Sequence, residues 1–260
     1  MSWTPDSGRK TIAAMSLPIP EDRTQYAGRD LEGMCFAENY HRWILRIFEP
    51  FLGTQLVEVG AGTGSFSELV LKGRIDSLSL VEPSEEMYKI LHSRINRAHR
   101  SVKIDTYNAF FTGVADHIRV NQRPDSIIYV NVMEHIADDE TELRVAHQTL
   151  DDGGRIFIFV PALRWLYGSL DQQIGHHRRY TRGELESKCA LAGFRVLRSG
   201  YFDFAGIVPW GIKYRVLKSE KLEPKAVKLY DKFVVPAARA VESFIKPPIG
   251  KNLFVIAEKI

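Results

Sequence analysis

Between residues 56 and 160 the chain alternates short apolar runs with longer stretches whose apolar residues recur every three or four positions. The runs at 56–59, 78–82, 102–105, 126–131 and 155–160 predict strands, and the stretches at 65–72, 84–98, 110–120 and 138–150 predict helices. Gly153-Gly154 stops the last of these. The fourth and fifth runs are continuously apolar rather than alternating, as in strands covered on both faces. Strand–helix alternation of this kind predicts a parallel, doubly wound sheet.

The flanks extend this pattern. Upstream, Leu31, Met34, Ala37, Trp43, Ile44, Ile47 and Phe48 give a helical period from about Asp30 to Phe51, closed by Pro50 and Gly53. Downstream come a helix at 182–192, a strand at 194–201 and a final strand at 253–257. Between those two strands lies a long segment, 203–251, in which Val227, Tyr230, Val234, Ala237, Val241, Phe244 and Ile245 are expected on one helical face, with Lys and Arg opposite. The organisation expected is a flexible stretch at 1–29, a core of 30–202 with 252–260, and a helical cap or insertion at 203–251. That insertion either packs on the sheet or on a second subunit of a homodimer, or it meets a lipid-like substrate or a bilayer.

Length and composition fit this organisation. At 260 residues with 45% apolar content, the chain can bury a sizeable core. A net charge of +3 gives no global field for nucleic acid, so none is expected as partner. Cys35 and Cys189 stand far apart and outside any metal-ligand spacing, which points to reduced, structural thiols, a cytoplasmic setting and no metal. Residues 1–20 lack the apolar core of a signal peptide, and no apolar run reaches bilayer length. The expected localisation is cytoplasmic or peripheral to a membrane.

The chemistry concentrates in Leu56-Val57-Glu58-Val59-Gly60-Ala61-Gly62-Thr63-Gly64, where a strand ends in an acid and a turn carries glycine at alternate positions. Such a turn lets backbone approach a ligand and offers the unpaired N–H groups of the helix behind it. Glu82 follows Gly62 by twenty residues, at the end of the second strand. An α/β nucleotide-binding sheet places there the carboxylate that takes a ribose diol. A dinucleotide loop requires Gly or Ala at 65, where Ser65 stands, so a nicotinamide oxidoreductase is the weaker of two cofactor readings.

The spacing E-x-G-x-G-x-G resembles motif I of the class I S-adenosylmethionine-dependent methyltransferases. Leu80-Val81-Glu82-Pro83-Ser84 resembles the family's motif II, the run from Pro124 to Ile136 its motif IV, and Asp151-Asp152-Gly153-Gly154 its turn before strand five, with Asp152 where proline is usual. Asn39-Tyr40-His41-Arg42-Trp43, the stretch Tyr167–Tyr180 and Pro248-x-Gly250 are similar to a bacterial subgroup that often accompanies glycosyltransferases in glycan or lipid gene clusters. The resemblance implies a seven-stranded sheet in the order 3-2-1-4-5-7-6 with strand 7 antiparallel, and S-adenosylmethionine as cofactor with S-adenosylhomocysteine as product. It implies that Glu58 engages the methionine part, that Gly60, Ala61, Gly62 and Gly64 form the loop, and that Glu82 holds the ribose. Pro83 would pack near the adenine, where Asp105 or the pair Asn108-Ala109 would make the polar contact, with Asn108 favoured. Asn131 and Tyr40 complete the expected cofactor set.

Acceptor-side residues are expected at the ends of strands four and five. His135 is the leading base candidate by position and by its pKa near neutrality, with Glu134 beside it. In the 161–180 loop, His176 and Asp171 are further candidates, and Arg178, Arg179 and Tyr180 are expected to bind the acceptor, the arginines through an anionic group. Adjacent histidines in extended backbone face opposite ways, so only one of His176 and His177 can face the site. The expected activity is methyl transfer to a small-molecule, glycan or lipid-linked acceptor, at oxygen rather than nitrogen. A non-catalytic cofactor-binding partner stays open beside it. The base-methylating [D/N]-P-P-[Y/F] motif is absent after strand four, where Asn131-Val132-Met133-Glu134 stands.

Overall fold

A computed structural model describes residues 37–95 and 102–260. The expectations for 1–29, Leu31, Met34 and Cys35 lie outside the described residues. Seven strands pair in the order β3-β2-β1-β4-β5-β7-β6. They are β1 (Gln55–Val59), β2 (Ser77–Val81), β3 (Lys103–Tyr107), β4 (Ser126–Val130), β5 (Arg155–Pro161), β6 (Phe194–Phe202) and β7 (Asn252–Lys259). The first five are parallel, and β7 runs antiparallel to both β5 and β6. This is the seven-stranded mixed sheet, with its last strand antiparallel, expected from the sequence.

The continuous apolar runs serve two cores at once. Val57, Ile127, Tyr129, Ile156 and Ile158 point to one face, which helices α4 (Phe111–Gln122), α5 (Asp139–Thr149) and α7 (Arg182–Leu191) cover; α6 (Ser169–Gln173) lies in the loop after β5. Leu56, Leu80, Ile128, Phe157 and Phe159 point to the other, covered by α1 (Glu38–Phe48), α2 (Ser67–Val70) and α3 (Glu85–Ile95). Strands with period-two side chains and helices on both faces have no polar face, which is why their sequence shows no alternation. Cys189 lies in the first core, where burial pushes its thiol up to about 12.

Strand order reverses between β1 and β4, and a crevice opens at the carboxyl ends of these strands, where open α/β sheets bind ligands. At its floor Gly60 adopts φ 70°, and a Cβ there would lie 2.4 Å from Val132 Cγ2. The helix expected over 65–72 is shorter, Ser67–Val70, because the turn holds Gly64 N–H on Ala61 O before helical bonding begins.

The 203–251 segment forms helical pieces: α8 (Ile207–Trp210) continued by a π turn over Gly211–Val216, then α9 (Pro224–Leu229), a π turn over Tyr230–Val234, and α10 (Val235–Phe244). Val235 and Ala238 join the core beneath α1. The single apolar face expected here is corrected. Val241, Phe244 and Ile245 are exposed, because each π turn adds a residue per turn and rotates the following helix. No described helix is long and apolar enough to cross a membrane.

Gly60→Ala is expected to cost roughly 1–3 kcal/mol from the left-handed backbone alone, with the Val132 contact adding to it. Urea unfolding of the ligand-free protein checks this.

Candidate active site

The crevice encloses about 150 Å³ and is lined by the glycine loop, the ends of β4 and β5, the 161–180 loop, Trp210, Lys251 and Asn252. Its two ends differ in chemistry.

At the β1 end sits Glu58, 3% exposed, on the sheet face beneath α1. One of its oxygens, Oε2, has no hydrogen-bond partner among the described residues. Burial pushes this carboxyl up to about 8; the Ser67 hydroxyl works against the shift and the charge of Glu82 adds to it. A buried unpaired carboxyl oxygen beside the loop is a waiting acceptor for a cationic or N–H group. Glu82 braces the loop from β2: its Oε2 accepts from Gly62 N–H and its Oε1 from Ser84 N–H, each at 2.8 Å. Asn131, at φ 54°, closes the other wall and donates its N–H to Phe159 O.

Six of the expected cofactor residues meet at this end: Glu58, Gly60, Ala61, Gly62, Asn131 and Tyr40 line the cavity. Tyr40 is 4% exposed and donates its hydroxyl to Asn252 Oδ1 at 2.9 Å. Gly64, Glu82, Pro83, Asn108 and Ala109 are not part of its lining. Asn108 uses both amide hydrogens on the Glu82 and Pro83 carbonyls, at 2.9 and 3.1 Å, and so pins the turn after β2.

At the β5 end two loops converge. The 3-10 turn Met133–His135 brings Glu134 and His135, and the 161–180 loop brings His176. His176 is fixed on three sides. Its N–H donates to Asp171 O at 2.8 Å, its carbonyl accepts from Tyr167 Oη at 2.7 Å, and its Nδ1 pairs with Asp171 Oδ1 at 2.8 Å. His177 faces solvent, as the parity of extended backbone requires. Asp171 is fully buried and is gripped by Arg179, Nε to Oδ1 at 2.9 Å and Nη2 to Oδ2 at 3.1 Å. Burial opposes ionisation of Asp171, but the His176 hydrogen bond and the Arg179 charge hold its carboxyl below the usual range.

Three expectations are corrected by this geometry. His135 is a poor base: burial, with His176 and His177 nearby, lowers it to about 3. Asp171 is held in an ion pair and orients His176 instead of receiving a proton itself. Arg178 and Tyr180 do not reach the acceptor space. Arg178 pairs with Asp139 Oδ2 at 2.8 Å, while Tyr180 is fully buried and donates to the same oxygen at 2.7 Å. Arg179 does line the cavity, with its guanidinium 5.0 Å from the Trp210 ring centre.

Glu134, expected near the reacting methyl beside His135, is fully buried on the cavity wall. Both its oxygens lack a hydrogen bond among the described residues, with His176 Nε2 at 3.8 Å. Burial pushes it up to about 7, against the pull of His176 and Arg179. Glu134, His135 and His176 offer ligand atoms within 4.8 Å of one another. No sequence spacing marked such a set, because the two loops meet only in the fold. Trp210, Lys251 and Asn252 carry no local motif either.

The family model for a methyltransferase domain matches residues 30–199, so the chain belongs to that family. It is a class I S-adenosylmethionine-dependent methyltransferase, which decides between the two cofactor readings of the glycine loop. A structure of an S-adenosylmethionine-dependent methyltransferase from Archaeoglobus fulgidus is similar over 89% of this chain and 99% of its own, at 18% identity and TM-score 0.58. A possible histamine N-methyltransferase from Thermotoga maritima covers 91% and 97%, at 17% identity and TM-score 0.54. The phosphoethanolamine N-methyltransferase 2 of Haemonchus contortus, in complex with S-adenosyl-L-methionine, matches 92% of this chain with 58% of its own, at 16% identity and TM-score 0.58. No curated protein matches the chain in sequence.

The site fits that cofactor: a buried acid with one oxygen unpaired among the described residues, a loop in left-handed backbone and a cavity between them. Binding a cationic amine against Glu58 requires its carboxylate, so binding expels a proton. Affinity for S-adenosylmethionine is therefore expected to fall as pH drops below about 8, by up to about tenfold per unit. Glu58→Gln should flatten that limb in calorimetric titrations across neutral pH. Separately, Arg179→Ala leaves the Asp171 carboxylate buried without its cation and is expected to cost about 3–5 kcal/mol. Arg178→Ala, at a partly solvated pair, should cost no more than about 1 kcal/mol in the same urea series.

Proposed function

We propose that this methyltransferase acts on an oxygen of a small-molecule, glycan or lipid-linked acceptor, with His176 as the general base. The observation that carries this reading is the Asp171–His176 pair on the cavity wall. A carboxylate on Nδ1 fixes the tautomer that carries hydrogen there, which leaves Nε2 as the proton acceptor on the cavity side. A hydroxyl needs that help, because it gives up its proton as it becomes a nucleophile.

The division of labour follows from the two ends. Glu58 and the 60–62 backbone would hold the methionine and ribose-side groups of the cofactor, with Glu82 bracing the loop. S-adenosylmethionine supplies an electrophilic sulfonium methyl and departs as the neutral thioether S-adenosylhomocysteine. His176 Nε2 receives the acceptor's proton, and the imidazolium so formed lies between Asp171 and Glu134. Arg179 keeps Asp171 ionised and so keeps His176 oriented. Tyr40, Phe66 and Trp210 exclude water from the reacting atoms. Holding donor and acceptor in line supplies the larger share of the rate, with effective molarities of roughly 10⁵ M or more.

A nitrogen acceptor is the second reading. The two Glu134 oxygens, without a hydrogen-bond partner among the described residues, suit an amine or ammonium donor, and an uncharged amine attacks without a base.

His176→Gln is expected to lower kcat by about 10²–10⁴-fold while leaving affinity for S-adenosylmethionine unchanged. Transfer of labelled methyl to a panel of hydroxylated and amine acceptors measures the first, calorimetry the second. Full activity on an amine in the variant favours the second reading. Equal losses of turnover and affinity place His176 on the cofactor side.

A further inference from the structure

The 203–251 segment carries ten Lys and Arg against five Asp and Glu, a net +5 in a chain whose total is +3, which leaves the remainder at −2. The same segment exposes its apolar residues in register. Phe204, Val208, Ile212 and Val216, four residues apart, are between 51% and 70% exposed. Leu229, Phe233, Val241 and Phe244 form a second stripe, between 59% and 90% exposed. Single exposed apolar residues are ordinary, but two helical stripes on one basic segment are a surface built to be covered.

Beneath this surface is a second cavity of about 150 Å³, lined by Pro209, Tyr214, Val227 and Tyr230 from the segment itself. It shares Tyr40, Trp210, Leu222 and Lys251 with the active cavity, so the two spaces meet at that wall. Lys213 also lines it, and Lys251 Nζ sits 5.0 to 5.8 Å from the ring centres of Tyr40, Trp210 and Tyr230. Buried in the same wall, the Trp210 indole Nε1–H has no acceptor among the described residues.

We infer that the 203–251 segment docks on an anionic lipid bilayer and that its cavity admits an amphiphilic acceptor from that surface. Basic side chains beside exposed apolar ones fit an anionic interface, each Lys or Arg drawing on the surface potential while the stripes enter the headgroup boundary. A second copy of this chain fits less well, because a two-fold contact would set basic face against basic face. Lys213 and the Trp210 N–H would meet an anionic or oxygen-rich group, beside Lys251, which Asp203 holds at 3.0 Å, and the apolar wall its chain. The cavity's role as an entrance rests on the methyl-transfer reading above; the docking face does not.

The test is co-sedimentation of the full-length protein with phosphatidylcholine vesicles and with vesicles containing phosphatidylglycerol. Partitioning is expected to be at least ~10-fold stronger on the anionic vesicles and to weaken with added salt. K221E/K225E/K232E should lower it by ~10-fold or more, and F233S/F244S should also lower it. Both variants should bind S-adenosylmethionine as the wild type does, which certifies their fold. Equal partitioning to both vesicle types, or none to either, overturns the inference. A dimer in solution that F233S/F244S dissolves, without vesicle binding, assigns the face to a second copy and overturns it too. Vesicle binding in a protein that fails to bind S-adenosylmethionine would sink the functional reading and leave the docking face standing.

Discussion

The buried pair of Asp171 and Arg179 organises the acceptor half of the molecule. A carboxylate and a guanidinium, both out of water, are tolerable only where each has its full complement of partners. Here Asp171 also accepts from His176 and from the Gly168 N–H, while Arg179 also donates to Ala162 O and lies over Trp210. One ion pair thus ties together the loop after β5, His176 and the first α-helix of the 203–251 segment. Its removal would release all three, so the packing of the insertion and the orientation of His176 are a single constraint.

Against that fixed end stands one that is incomplete by itself. Glu58 is buried at the sheet's reversal with one oxygen that no described residue satisfies, and burial raises its pKa. An incomplete acid beside a braced loop is costly in the free protein and is relieved by a cationic ligand. The cavity therefore has an oriented imidazole at one end and a buried carboxyl with an unpaired oxygen at the other. Strand order dictates the arrangement, because between β1 and β4 the loops lead to helices on opposite faces of the sheet and leave a crevice between them.

Much of this was legible in the sequence, for local reasons. Glu58, Gly60 and Gly62 are contiguous, so their spacing alone marks the loop, and the buried strands announce a parallel sheet through their unbroken apolar runs. The opposite facing of His176 and His177 follows from backbone parity. The lowered basicity of His135, by contrast, is not legible, because it is set by burial and by histidines on a loop some forty residues away. Asp171 and Arg178 read as free chemistry since their partners, Arg179 and Asp139, are visible only once burial is known. The outward turn of Val241 and Phe244 depends on a π turn at Tyr230–Val234, which no apolar period encodes. Trp210 and Lys251 entered the site from a segment whose motifs point nowhere.

The most direct test of the account is a structure of the protein bound to S-adenosylhomocysteine. The account predicts the amino-acid end of the ligand on Glu58 and the sulfur facing the cavity wall that carries His176. A ligand whose sulfur faces away from His176, or whose amine leaves the Glu58 oxygen unsatisfied, would contradict it.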